Sequence, residues 1–171
     1  MKIGKQVILK VTSACNIDCT YCYQTAPELQ NWRSLKKQMK LDTFRETIDA
    51  IFLRAKAQES PSVNFVLQGG EPLLVGKALF SKYLTSLRAA GSIYKIPYIS
   101  SVQTNGILLD REWCDLLGHH NCGLGISIDG PEEVNDERRV DFKGKGTFIR
   151  AVRGLKLAKK YGLKPNVLTV I

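Results

Sequence analysis

No apolar run in this chain of 171 residues approaches the roughly 20 residues needed to cross a bilayer, so no membrane-spanning helix is expected. Low-complexity segments and short-period repeats are missing too, which argues against a disordered or solenoid protein and for one ordinary globular core. Histidine occurs only as the pair His119–His120, so metal chemistry here has to rest on cysteine. Acidic residues are scarce at the C-terminal end, where residues 138–171 hold one Asp or Glu against ten Lys or Arg. That excess produces most of the formal charge of +9. A nucleic-acid surface is one reading of it. The better one is a solvated helix face, because Arg150, Arg153, Lys156, Lys159 and Lys160 recur at helical spacing.

What the chain does have is cysteine, five in all and three of them in the stretch "VTSACNIDCTYCYQ". Lys10 interrupts the short apolar segment before it, so the stretch does not read as a lipoprotein signal ending at a cysteine. The expected setting is cytoplasmic, where thiols stay reduced, and an odd count with three crowded together argues for metal ligation over a disulfide framework.

The rest of the sequence alternates between two patterns. β-Branched apolar runs at Val7–Val11, Val63–Leu67, Tyr98–Val102, Gly123–Ile128 and Val167–Ile171 predict buried strands. Between them, Leu41–Gln58, Lys77–Ala90, Asp110–His119 and Thr147–Tyr161 show helical periodicity. Asp42 is the expected N-cap of the first, and Gly162 with Pro165 should stop the last. Strand then helix, repeated, means an α/β fold with parallel strands joined by right-handed crossovers. In such folds the loops after the strands' C-terminal ends gather on one face and build the site. Those loops are the cysteine loop, "QGGEP", "QTNG" and "SIDGP".

Each loop has a physical reading of its own. Cys15, Cys19 and Cys22 offer three soft thiolates, which suit zinc or an iron–sulfur cluster. A structural zinc site needs a fourth ligand, and Cys114, Cys122, His119 and His120 fall in or just after an outer helix, where packing or a solvated helix end is the expected role. A cubane held by three cysteines keeps one iron open for a ligand. Gly69 and Gly70 permit unusual backbone angles and close approach to a ligand's amino group, though a Gly-Gly pair by itself is also a simple turn. Glu71 adds an acceptor. Ser127 and Asp129 should point to one side, since strand side chains alternate, while "DGP" also reads as a turn. Gln103 and Asn105 are divided between lining a cavity and forming a turn, with Gly106 there for the turn.

The spacing C-x3-C-x2-C, with Tyr21 just before the third cysteine, resembles the signature of the radical S-adenosylmethionine (SAM) superfamily. "LQGGEPLL", "SVQTNGILLD" and "GISIDGPEEVNDERR" are similar, in order and approximate spacing, to its SPASM-type subgroup of anaerobic sulfatase-maturing enzymes and peptide maturases. The resemblance implies a partial parallel (β/α) barrel of about five strands, truncated at the C-terminus, with residues 1–171 as the radical SAM core. It implies that Cys15, Cys19 and Cys22 hold a [4Fe–4S] cluster whose open iron takes SAM. Tyr21, Gly69, Gly70, Glu71, Ser127 and Asp129 would then belong to the cofactor site, and Gln68, Gln103 and Arg139 would face the substrate. Arg138 is the rival of Arg139.

The implied reaction is reductive cleavage of SAM to methionine and a 5′-deoxyadenosyl radical, which takes a hydrogen atom from a protein or peptide side chain. Its partners would be that substrate and a one-electron donor such as flavodoxin or ferredoxin. Two alternatives from other classes are a catalytically incomplete fragment and a zinc-binding interaction module. The sequence departs from the pattern at Asn135, where sulfatase maturases commonly have histidine.

Overall fold

The computed structural model describes residues 5–23 and 38–170. Five strands, β1 (Lys5–Thr12), β2 (Val63–Gly69), β3 (Tyr98–Thr104), β4 (Gly123–Ser127) and β5 (Asn166–Leu168), form one sheet in chain order. Every neighbouring pair is parallel. Helices α1 (Leu41–Ala57), α2 (Lys77–Tyr94) and α3 (Arg111–His119) make the first three crossovers, while α4 (Glu132–Arg138) and α5 (Phe148–Lys160) share the fourth. A 3-10 turn, Pro72–Val75, follows β2. Among the described residues the sheet is open, with β1 and β5 at its edges, so the architecture is a partial barrel.

The strands bury one face. Leu9, Val11, Val63, Phe65, Leu67, Val102, Leu124 and Ile126 alternate along them and join one core with α1 to α3 and α5. Phe52 of α1 tilts over Phe65, with ring centroids 5.3 Å apart, and Phe80 of α2 meets Trp113 of α3 edge to face at 5.3 Å. Cys114 and Cys122 lie in this core and not at the loops. The opposite face is open: Ile8 is 55% exposed and Ile99 62%. The strands expected to be buried are therefore buried on one face. β5 departs furthest, since all three of its residues are exposed at an edge, and Ile171 lies outside the described residues.

Helix boundaries follow the expected periodicity to within a turn, with two corrections. Lys40, not Asp42, is the N-cap residue of α1; Asp42 sits in the first turn, where a carboxylate still favours the helix dipole. The second is α4, a helix where a loop was expected. Its only buried residue is Asn135, so it has no apolar repeat to betray it, although Pro131, Glu132 and Glu133 at its start and Arg138 at its end are ordinary helix-end residues.

α4 in turn organises α5. The Asp136 Oδ1 atom accepts the backbone N–H groups of Thr147 and Phe148, both at 2.8 Å, and so caps α5 from outside the helix. Gly146 leaves room for it, because a Cβ there would fall 2.0 Å from Asp136 Oδ2. Asp136→Ala should therefore cost about 1–2 kcal/mol, read as a lower urea midpoint with an unchanged slope. The basic residues of α5 are exposed, as a solvated face requires. Among the described residues, no helix is long and apolar enough to cross a membrane.

Candidate functional site

The loops at the C-terminal ends of β1 to β4 converge as the parallel topology demands. Between them lies a cavity of about 200 Å3 lined by Cys15, Ile17, Cys19, Tyr21, Cys22, Tyr23, Gln68, Gly69, Gly70, Gln103, Thr104, Asn105, Ser127, Arg139 and Leu168. Ten of the twelve residues singled out for metal, cofactor or substrate are on that wall; Glu71 and Asp129 are not.

The cysteine loop is held from two sides. A bulge lets Thr12 pair with Gly69 after Lys10 pairs with Gln68, which turns the chain out of β1. From there Gly70 N–H donates to Thr12 O at 3.0 Å and Glu71 N–H to Ala14 O at 2.8 Å. On the far side, Asp18 N–H donates to Val140 O and Thr20 N–H to Arg138 O, at 2.8 and 2.9 Å. Cys22 N–H closes a turn onto Cys19 O at 3.1 Å.

Burial pushes the Cys15 thiol up to about 11, and raises Cys19 as well, with the Arg139 charge opposing the rise. Such thiols ionise at neutral pH only when a cation takes them. No disulfide involves any of the five cysteines. Among the described residues, no three Cys, His, Asp or Glu side chains converge as ligands of one ion. Cys15, Cys19 and Cys22 nonetheless all line the one cavity.

The two glycines have a packing reason beside the expected approach to a ligand. A Cβ at Gly69 would lie 2.2 Å from Thr12 O, and one at Gly70 would lie 2.3 Å from Ala14 O and 3.0 Å from Cys15 Cβ. What they permit is close packing of the β2 end against the cysteine loop.

Glu71 also has a different task from the open acceptor expected of it. Its side chain is fully buried. Oε1 accepts Leu73 N–H at 3.0 Å and Thr104 O–H at 2.7 Å, and Oε2 accepts Asn105 N–H at 2.8 Å. Burial raises its pKa, and these three donors oppose the rise. The carboxylate thus ties the β2 loop to the β3 loop. Gly69 and Gly70, unlike Glu71, line the cavity.

Asn105 performs both of its expected roles. Its Oδ1 accepts Ile107 N–H in a turn, and its Nδ2 donates to Asn16 Oδ1 at 2.7 Å while the residue lines the cavity. Gly106, at φ +78°, makes that turn.

Of the two roles open to Asp129, ribose contact and loop order, its contacts favour the second. Tyr21 O–H donates to Asp129 Oδ2 at 2.5 Å, Arg139 Nη1 lies 3.7 Å from the same oxygen, and Val170 N–H takes Oδ1 at 3.1 Å. With both oxygens engaged and 5% exposure, Asp129 orders the loops and does not face the cavity. Arg139, buried and on the cavity wall, donates to Tyr21 Oη at 2.7 Å. Arg138, its rival, is exposed and off the cavity wall. Burial, with the Asp129 contact, pushes the Tyr21 phenol up to about 12, so it remains a donor.

Asn135, fully buried, accepts Asp129 N–H at 3.2 Å and donates to Asp136 Oδ1 at 2.8 Å. It is part of the scaffold under the "DGP" loop. The Tyr21–Asp129–Arg139 network does not show in the sequence because Tyr21 lies 108 and 118 positions from its two partners. Ile17, Tyr23, Thr104 and Leu168 line the cavity without having been singled out.

Comparison with known proteins adds to this geometry. The profile of the Radical SAM superfamily matches residues 9–171. The chain belongs to the radical SAM superfamily. Membership carries with it a [4Fe–4S] cluster and SAM as cofactors. This radical SAM chain is 31% identical, over all of its length and 44% of the relative's, to the cysteine-type anaerobic sulfatase-maturating enzyme of Clostridium novyi (strain NT). It is 34% identical to the serine-type anaerobic sulfatase-maturating enzyme of Klebsiella aerogenes, over 92% of this chain and 37% of that one. Among solved structures, native anSMEcpe with bound AdoMet and Cp18Cys peptide superposes with a TM-score of 0.81 at 29% identity, covering 98% of this chain and 43% of that one. The radical SAM chain thus spans less than half the length of these relatives.

Proposed function

We propose that residues 1–171 form a radical SAM core of the SPASM-type subgroup, serving an enzyme that modifies a protein or peptide side chain. The observation that carries this reading is that three reduced cysteines from one loop, the Gly69–Gly70 backbone and Ser127 all face one cavity. Cys15, Cys19 and Cys22 would hold the cluster. Bound together, the cluster and SAM supply a 5′-deoxyadenosyl radical.

The chain's own residues bind, orient and exclude. The backbone at Gly69 and Gly70 offers carbonyl acceptors to the SAM amino group, and Ser127 offers a polar contact to its carboxylate or ribose. Tyr21, fixed by Asp129 and Arg139, sits between the second and third cysteines at the cavity wall. Arg139 contributes the cavity's buried positive charge, suited to a carboxylate of SAM or of a peptide. Gln68 faces the space a substrate would enter.

The substrate proposed is a cysteine- or serine-containing peptide, and the electron donor a flavodoxin or ferredoxin. A cytoplasmic setting, where thiols stay reduced, is part of the same proposal. The test is anaerobic incubation of the reconstituted chain with SAM, dithionite and such peptides. Release of 5′-deoxyadenosine above that of a cluster-free control is expected. A reconstituted chain that retains its cluster and leaves SAM intact would refute the reading.

A further inference from the structure

The Gln103 side chain lies along the open face of the sheet towards β4, and two facts define how it is held. Its Nε2 donates to Ser127 Oγ at 2.9 Å. Its Oε1 occupies the space a side chain would need at Gly125, the β4 residue paired with Gln103, since a Cβ built there would fall 2.1 Å from that oxygen. The glycine has no positive φ to explain it. What it supplies is room for the amide.

The hydrogen bond has a direction, and the direction matters. A serine hydroxyl can donate or accept, and a ligand cannot know which it will meet. Because Gln103 gives its N–H to Ser127 Oγ, one lone pair of that oxygen is occupied and its proton is left to point elsewhere. Both residues line the cavity. We infer that Gln103 is a positioning residue, seated by Gly125, that presents the Ser127 hydroxyl as a hydrogen-bond donor to an anionic or hydroxyl oxygen of SAM. This deepens the proposed function and rests on its assignment of Ser127 to the cofactor. It moves Gln103 from substrate contact to cofactor alignment.

Acting through another residue has a measurable signature, which is non-additivity. SAM affinity would be measured by anaerobic equilibrium dialysis on the reconstituted chain, with cluster content and circular dichroism as checks on assembly. Ser127→Ala and Gln103→Ala should each weaken binding about five- to tenfold, the loss of roughly one hydrogen bond. The double variant should bind no more weakly than Ser127→Ala alone. Gly125→Ala, which displaces the amide, should match Gln103→Ala, and adding Gln103→Ala to it should change nothing further.

Gln103→Glu supplies a readout that packing alone would not move. A carboxylate can only accept, so it would draw the Ser127 proton away, and affinity should recover as pH falls and the acid regains a donor. Multiplied losses in the double variant would mean that Gln103 makes its own ligand contact, and would overturn the inference. Unchanged affinity in Gln103→Ala beside weakened Ser127→Ala would also overturn it, leaving the cofactor site standing. Unchanged affinity in Ser127→Ala would remove Ser127 from that site and the inference with it.

Discussion

Alanine at Cys15, Cys19 or Cys22 is expected to leave the reconstituted chain almost free of iron and sulfide, while Cys114→Ala and Cys122→Ala retain wild-type cluster content. The contrast follows from position. The first three share one loop and one cavity, whereas Cys114 and Cys122 are buried in the helix-facing core. Burial pushes the Cys122 thiol up to about 12, and it stands in the core, off the cavity wall that the three loop cysteines share. Removing one of three protein ligands from a cubane leaves two irons without protein anchors, and retention by a single remaining pair is not expected. Colorimetric iron and sulfide determination checks it. Wild-type cluster content in two of the three triad variants would remove the cluster from this loop.

The second large effect is at Gly70. Even Gly70→Ala should abolish most cluster binding and destabilise the fold by about 2–3 kcal/mol, the cost of forcing atoms into packed space. Its Cβ would stand 2.3 Å from Ala14 O and 3.0 Å from Cys15 Cβ, both parts of the loop that carries the ligands. The loop has little freedom to retreat, being tied by Glu71 N–H on one side and by residues 138–140 on the other. Gly118→Ala is the control, because a Cβ there meets nothing closer than 3.8 Å. It should be neutral or slightly stabilising, as alanine usually is in a helix. A Gly70→Ala chain with normal cluster content and weakened SAM binding alone would return this glycine to the ligand-approach role its sequence context suggests.

Gly70 also illustrates what a sequence can reveal and what it cannot. The pair Gly69–Gly70 at a strand end marked the position as special, but only the fold shows which atoms approach it. The parallel order of the strands was legible because β1 to β4 each combine β-branched residues with a following amphipathic helix, and that order alone brings the four loops together. α4 was not legible, since a seven-residue helix with one buried residue produces no periodicity. For Asp129 the sequence leaves ribose contact and loop order both open, and for Glu71 it shows an acceptor without showing its donors. A carboxylate beside a presumed site looks like a ligand contact in one dimension, and only the positions of Thr104, Asn105, Tyr21 and Val170 show that its oxygens are engaged within the chain. One-faced burial of the sheet is likewise a property of what packs on it, not of the strand sequences.

The central claim is that one loop of this chain holds a cluster with an iron open to SAM. Electron paramagnetic resonance of the anaerobically reconstituted, dithionite-reduced chain, recorded before and after SAM is added, tests it most directly. The account predicts a [4Fe–4S] signal whose g-values shift with SAM and not with adenosine alone. A chain that binds zinc in preference to iron, or a cluster signal that SAM leaves unchanged, would contradict it.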